Sequence, residues 1–227
     1  MNEMYKSYTE YKSYSEIKKL EFIVNTINKH YSKSQANKVK ILDIGCGKGN
    51  ISLPLASLGY QIYGIDLNPN EIAYVKKKNQ FYNASFEIMD AERLKGESTW
   101  DIVICSEIFE HLSSPKKLLI RLSEIIKSNG ILIITIPNGY GPYELLFETP
   151  LRLIGYDLCG HKQNYSLKNF SELLNEFFSI SIIKHSDFIS FWPIIREVNL
   201  LVKIDYAIAD ILPHYLVSGW YFKCIPK

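Results

Sequence analysis

Ile41-Leu42-Asp43-Ile44-Gly45-Cys46-Gly47-Lys48-Gly49-Asn50 is the stretch that decides the fold of this chain. A short apolar run ends in three alternating glycines, and a helical pattern follows. Glycines permit a sharp turn and a close approach of the backbone to a ligand. The first turn of the following helix offers N–H groups without an intrahelical partner. The stretch therefore predicts a buried strand, a ligand-binding loop and the start of a helix.

The spacing of these glycines differs from the dinucleotide motif G-x-G-x-x-G, which cradles a pyrophosphate. Asn50 occupies the position of the third glycine, and the glycine comes one residue earlier, at Gly49. Asp43 precedes the loop, and its carboxylate suits an amino-acid ammonium group better than a pyrophosphate, which it would repel. An NAD-dependent oxidoreductase is therefore the less favoured alternative.

Beyond the loop, apolar runs alternate with helical patterns. This rhythm predicts a mostly parallel sheet covered by helices on both faces. Ligands of such sheets bind beyond the carboxyl ends of the strands. The predicted strands are Val39–Ile44, Gln61–Asp66, Ser85–Met89, Trp100–Cys105, Gly130–Ile136, Ile180–His185 and Leu216–Ile225. The helix predicted over Pro115–Ser128 should end at Asn129-Gly130, just before the fifth strand.

Three further polar signals follow predicted strands and should share one crevice with the glycine loop. Asp66 ends the second strand, where a carboxylate can accept both hydroxyls of a ribose. After the third strand, Asp90 can accept from the exocyclic amine of adenine while Ala91 donates its backbone N–H. The segment Ser106–His111, Ser-Glu-Ile-Phe-Glu-His, follows the fourth strand.

Over about Val39 to Pro137, these motifs together resemble the class I S-adenosylmethionine-dependent methyltransferases. The Ser106–His111 run is most similar to the ubiquinone-biosynthesis O-methyltransferase branch. The resemblance implies a Rossmann-like α/β fold with seven strands, the last antiparallel, and S-adenosylmethionine as cofactor, with S-adenosylhomocysteine as product. It implies a cofactor site of Asp43, Gly45, Cys46, Gly47, Gly49, Asp66, Leu67, Asp90, Ala91, Glu92, Ser106 and Glu107.

Each of these residues also has a structural alternative. Gly45 and Gly47 can serve helix–strand packing alone. Asp66 can cap the helix that begins near Pro69. Asp43 can be a structural carboxylate bonded to loop amides. The combination of motifs is much more specific than any one of them.

The chain as a whole predicts a single methyltransferase domain, residues 1–227. We assign 1–38 to an N-terminal helical lid, 39–137 to the cofactor-binding core, 138–215 to acceptor-side loop and cap elements, and 216–227 to the final strand. Ser13 and Glu16 form the pattern of a capping box at the start of the lid helix. The tyrosines before it would cover the cofactor or serve packing.

Two histidines are the candidate general bases. The pKa of histidine lies near working pH, so His111 can remove a proton from an acceptor hydroxyl; alternatively it orients the loop before the Pro115 helix. The region around His161 borders the acceptor pocket in similar methyltransferases, so His161 can contact the substrate; alternatively it lies in a surface loop. Some relatives of the ubiquinone branch carry a metal at a triplet like Glu107, Glu110 and His111. Nothing else in the sequence completes that site, so we expect no metal.

Composition narrows the acceptor and the surroundings. A net charge of +2 argues against a dedicated nucleic-acid binder. Aromatic residues in the last third, Phe188, Phe191, Trp192 and Trp220, can wall an apolar acceptor pocket or can belong to the core. The aromatic-rich last third favours O-methylation of a small or lipid-linked acceptor. N-methylation and a non-catalytic cofactor-binding module remain the alternatives.

The sequence also predicts where the protein works. No apolar run approaches the roughly 20 residues that span a bilayer, and we recognise no signal peptide. The four cysteines are widely spaced, which is typical of a reduced compartment. We expect a cytoplasmic monomer or homodimer, and a peripheral membrane contact stays open.

Overall fold

The computed structural model describes residues 3–94, 99–156, 160–188 and 199–227. One seven-stranded sheet organises them, in the order β3-β2-β1-β4-β5-β7-β6. Strands β1 to β5 pair in parallel, whereas β7 is antiparallel to both β5 and β6. The predicted fold class, with its antiparallel last strand, is confirmed. The strands are β1 Lys40–Ile44, β2 Gln61–Asp66, β3 Ala84–Ile88, β4 Trp100–Ser106, β5 Ile126–Pro137, β6 Phe178–His185 and β7 Gly219–Pro226.

The helices lie on both faces of this sheet. The predicted capping box begins α1: the Ser13 hydroxyl accepts from the backbone N–H of Glu16, whose carboxylate accepts from the N–H of Ser13. One turn of π-helix at Glu144–Glu148 leads into α5. The α-helices are α1 Tyr14–His30, α2 Ser52–Ser57, α3 Pro69–Lys78, α4 Pro115–Ile125, α5 Thr149–Leu153, α6 Leu167–Asn175 and α7 Asn199–Ile211.

Alternating side chains of the central strands fill two apolar layers. Ile41 faces the layer that α1 and α2 cover, and Leu42 faces the layer under α4 and α6. This alternation follows from the period of two along a strand. Trp220 is fully buried in the second layer, so it belongs to the core rather than to an acceptor wall. Phe191 and Trp192 lie outside the described residues.

The start of β5 differs from the prediction. The strand begins at Ile126 rather than at Gly130, and α4 ends at Ile125. The pairing of β4 with β5 shifts register between Trp100 and Ile102, and a Cβ on Gly130 would lie 2.8 Å from the carbonyl oxygen of Asp101. Gly130 therefore marks an irregularity within the strand, where the neighbouring backbone comes close, instead of stopping the helix.

None of the described helices combines the length and the apolar character that crossing a membrane requires. The division of the chain at residues 38, 137 and 215 stays a prediction.

Candidate active site

The loop between β1 and α2 forms one wall of the site. Gly45 and Gly47 both adopt positive φ, at 70° and 48°. A Cβ on Gly45 would lie 1.9 Å from the side chain of Ile108, so Gly45 is needed for packing. A Cβ on Gly47 would lie 4.0 Å from a carboxylate oxygen of Glu71, the one contact it would make with the described residues within that distance. Packing therefore accounts for Gly45, and the open space at Gly47 is where a ligand can approach the backbone.

Asp66 supports this loop from the end of β2. Its Oδ2 accepts from the N–H of Gly47 at 2.9 Å, and its Oδ1 accepts from the N–H of Asn68 at 2.8 Å. Asn68, and not Asp66, caps α3, because its side chain accepts from the N–H of Asn70. A carboxylate oxygen has capacity for further hydrogen bonds, so Asp66 can hold the loop and still accept from ligand hydroxyls.

Asp43 is a buried carboxyl group at the carboxyl end of β1. Only 1% of the residue is exposed, and its Oδ2 accepts from the Ser52 hydroxyl at 2.6 Å. Burial, and to a lesser extent the charge of Asp66, raises the pKa of Asp43 to about 7. A nearby cation would favour the ionised form. The partner of Asp43 is therefore a side-chain hydroxyl, rather than the loop amides considered from the sequence.

These groups surround a cavity of about 180 Å³. Six predicted cofactor residues line it: Asp43, Gly45, Cys46, Gly47, Ser106 and Glu107. Gly49 and Asp66 are not among the residues that line it, and Leu67 is 68% exposed. The first cavity is thus built where the ends of β1 and β4 meet the glycine loop.

The predicted adenine side follows β3. The N–H of Met89 donates to the carbonyl oxygen of Asp66, which brings this segment beside the end of β2. Asp90 pairs loosely with Arg93 at 3.9 Å, and Ala91 begins a short 3-10 helix. The side chain of Glu92 lies outside what the structure describes.

Glu107 has an unusual backbone. Its φ is 56°, the one positive value at a non-glycine residue in the described part of the chain. Thr135 holds it on both sides: the N–H of Glu107 donates to the Thr135 carbonyl, and the Thr135 hydroxyl donates to Glu107 Oε1 at 2.8 Å. Such strained residues persist where their surroundings fix them, often at functional sites.

Sequence reasoning missed Lys19. This residue of α1 lines the cavity, and its Nζ lies 3.9 Å from Glu107 Oε1. Burial alone would lower the pKa of Lys19, but Glu107 and other nearby groups outweigh burial and raise it. The side chain therefore stays cationic. The sequence signal that could have found Lys19 is its position next to Leu20, a residue of the apolar stripe of a capped helix.

The N-terminal segment closes another side of the cavity. Asn50 Oδ1 accepts from the backbone N–H of Glu10 at 2.7 Å, and Tyr11 lines the cavity wall. Asn50, the residue that departs from the dinucleotide motif, thus binds the N-terminal segment by a hydrogen bond. A lid motion stays a prediction.

A second cavity, of about 280 Å³, adjoins the first. Lys19 and Glu107 line both cavities. His161 lines the second cavity, and its ring lies 5.2 Å from that of His111, which is not part of the wall. Burial and the neighbouring His111 lower the pKa of His161. Of the two predicted bases, His161 is the one that faces this space.

Glu110 lies beside His111, with its Oε1 3.9 Å from His111 Nε2. It is 2% exposed, and burial, together with Glu107, raises its pKa to about 8. Its backbone carbonyl accepts from the N–H groups of Lys162 and Gln163, which anchors the loop that carries His161. One potential metal-binding atom from each of the side chains of Glu110, His111 and His161 lies within 4.8 Å of the other two. Glu107, from the predicted metal triplet, instead faces Lys19 and Thr135.

Comparison with known proteins places the chain among methyltransferases. A family profile described as "Methyltransferase domain" matches residues 35–177. A ubiquinone biosynthesis O-methyltransferase of Rickettsia akari is 35% identical over 124 residues, which are 53% of this chain and 48% of that protein. The chain therefore spans about half the length of the curated relatives it matches.

Solved structures show the same fold at low sequence identity. Magnesium protoporphyrin IX methyltransferase from Synechocystis, solved with bound S-adenosylhomocysteine, has a TM-score of 0.65 at 17% identity, covering 94% of this chain and 84% of that one. The [4+2]-cyclase SpnF has a TM-score of 0.64 at 16% identity, covering 91% and 81%. A cyclase of this fold shows that the fold alone does not determine the reaction.

Proposed function

Because the chain belongs to the methyltransferase domain family, we propose that it transfers the methyl group of S-adenosylmethionine to an oxygen atom of a small or lipid-linked acceptor. The observation that carries the proposal is the pair of adjoining cavities, which share Lys19 and Glu107. One cavity takes the cofactor and the other takes the acceptor.

The charges of the first cavity match the methionine part of the cofactor. Asp43 offers a carboxyl group to its ammonium, and the partly buried ammonium of Lys19 faces its carboxylate. Asp66 accepts from the ribose hydroxyls, and Asp90 with Ala91 receives the adenine. Gly47 lets the backbone come close to the ligand.

S-adenosylmethionine, when bound, supplies a methyl group that its sulfonium has already made electrophilic. The protein places the acceptor oxygen in line with that methyl, and such positioning contributes on the order of 7–11 kcal/mol. His161 accepts the hydroxyl proton as the oxygen–methyl bond forms and the sulfur–methyl bond breaks. His111, whose ring packs edge-to-face with that of His161, is the second candidate base.

The names of the relatives support oxygen as the methylated atom. A nitrogen acceptor that binds uncharged would need no base, and N-methylation is the second candidate reaction. If the protein is a non-catalytic module, it would bind the cofactor in the first cavity and would methylate no acceptor in the second.

Methyl transfer from labelled S-adenosylmethionine tests the proposal. The probes are catechol, an alkyl-tailed catechol in micelles, and an aromatic amine. We expect label in the two catechols, matched by an equal amount of S-adenosylhomocysteine. Label in the amine alone would favour N-methylation, and cofactor binding without transfer to any probe would favour the non-catalytic module.

A further inference from the structure

The second cavity extends along the sheet edge away from Lys19. It begins at Glu107 after β4, passes the start of β7 at Gly219 and reaches Ser186 and Asp187 after β6. With the order β4-β5-β7-β6, three strand spacings of about 4.8 Å separate its two ends by roughly 14 Å. The cavity therefore has an end beside the reacting atoms and an end remote from them.

The wall of this cavity carries more negative than positive charge. Among the residues of this wall that the structure describes, the carboxylates are Glu16, Glu107, Glu144 and Asp187, and Lys19 is the one lysine. Lys19 pairs with Glu107, and under the proposed function it also pairs with the carboxylate of the cofactor. A lowered pKa keeps His161 largely uncharged at neutral pH. Arg152 approaches Glu144 at 3.5 Å without being part of the wall.

Ser186 supplies an independent sign of a ligand at the remote end. The residue is 6% exposed and lines the cavity, and its Oγ has no hydrogen-bond partner among the described residues. Its backbone is already satisfied, because its N–H donates to Gly219 and its carbonyl accepts from Lys18. Buried hydroxyls are rarely left unbonded.

From this wall we infer that the acceptor is a non-anionic molecule whose hydrogen-bond donors, hydroxyl or ammonium, face the carboxylates, and that acceptors bearing a carboxylate or phosphate are rejected. Asp187 and Glu144 determine this selectivity by repelling an anion, and Ser186 binds the remote polar group. The inference rests on the proposed function, since it assigns the second cavity to the acceptor.

Three ring probes with the same reacting hydroxyls test this selectivity: catechol, dopamine and 3,4-dihydroxybenzoate. Their affinities are measured by calorimetry on protein saturated with S-adenosylhomocysteine, whose sulfur carries no charge. We expect dihydroxybenzoate to bind at least about tenfold more weakly than catechol, the equivalent of about 1.4 kcal/mol, and dopamine to bind at least as tightly as catechol.

Variants locate the effect. Asp187→Asn and Glu144→Gln should each reduce the discrimination against dihydroxybenzoate, whereas Glu172→Gln, an exposed change on α6, should leave it intact. Ser186→Ala should weaken dopamine, whose ammonium is the remote polar group, and should leave the affinity for catechol, which has no such group, unchanged. Unchanged affinity for S-adenosylhomocysteine confirms that each variant is folded.

Dihydroxybenzoate binding as tightly as catechol would overturn the inference, as would a failure of all three probes to bind the complex with S-adenosylhomocysteine. Either result leaves the cofactor assignment standing. Failure of S-adenosylhomocysteine itself to bind would instead contradict the proposed function.

Discussion

Asp43 is a residue of the predicted cofactor site whose ionisation the fold changes near neutral pH. Its folded pKa of about 7 lies above the ordinary 3.8, so between pH 4 and pH 7 the folded protein holds a proton that the unfolded chain has lost. The free energy of unfolding should therefore fall as pH rises across this window, by roughly 4 kcal/mol at most. Urea unfolding of the wild type and Asp43→Asn at pH 5 and pH 8 checks this.

The Asp43→Asn variant should lose that part of the pH dependence, and Glu172→Gln should keep it. An identical slope in wild type and Asp43→Asn would show that the carboxyl group is not held protonated. Binding of the cofactor should strengthen from pH 6 to pH 8, because its ammonium favours ionised Asp43.

A substitution at Gly47 tests whether the ligand approaches the backbone there, and a control glycine separates this effect from that of backbone strain. Gly47→Ala should cost about 1–2 kcal/mol of stability through its left-handed backbone and should weaken S-adenosylhomocysteine binding at least tenfold, since a methyl group would enter the open space. Gly59→Ala is the matched control, because Gly59 also has positive φ and a Cβ there would meet Ala36 at an ordinary 3.7 Å. Equal binding by the two variants would contradict the placement of the ligand.

At the scale of elements, α1 contributes to the cofactor site through Lys19. Lys19→Met removes a charge-assisted partner of the cofactor's carboxylate, an interaction worth about 1.5–3 kcal/mol. Calorimetry should therefore show affinity reduced by about 10- to 150-fold. Lys29→Met, an exposed change on the same helix, should have no effect. A wild-type affinity for Lys19→Met would remove α1 from the site.

The loop that carries His161 is the second element with a testable role. His161→Ala should lower turnover by about 100- to 10,000-fold and leave S-adenosylhomocysteine affinity unchanged, and His111→Ala should lower turnover less because His111 lies outside the cavity wall. Turnover of the wild type measured with and without EDTA separates a base from a metal held by Glu110, His111 and His161. Loss of activity in EDTA would favour the metal.

At the scale of the whole molecule, the sequence predicts what is encoded locally. Asp43 and Asp66 could be placed because each lies at the carboxyl end of an apolar strand, and parallel strands bring their carboxyl ends to one edge. Lys19 could not be found in this way, because its partner Glu107 lies 88 residues further along the chain.

The same reason explains the other differences. The start of β5 depends on its pairing with β4, which the local helix-stop signal at Asn129-Gly130 does not contain. The motif around His111 directs attention to that histidine, and only the folded loop shows that His161 faces the cavity. Partners distant in sequence thus define the acceptor side of the molecule.

Titration of S-adenosylhomocysteine into the wild type and into Asp66→Ala tests the central claim most directly. The account predicts one bound ligand per chain and a loss of affinity of at least tenfold in the variant, because the variant removes a carboxylate that accepts from the ribose hydroxyls and also holds Gly47. Absence of binding to the wild type, or equal affinity of the two proteins, would contradict it.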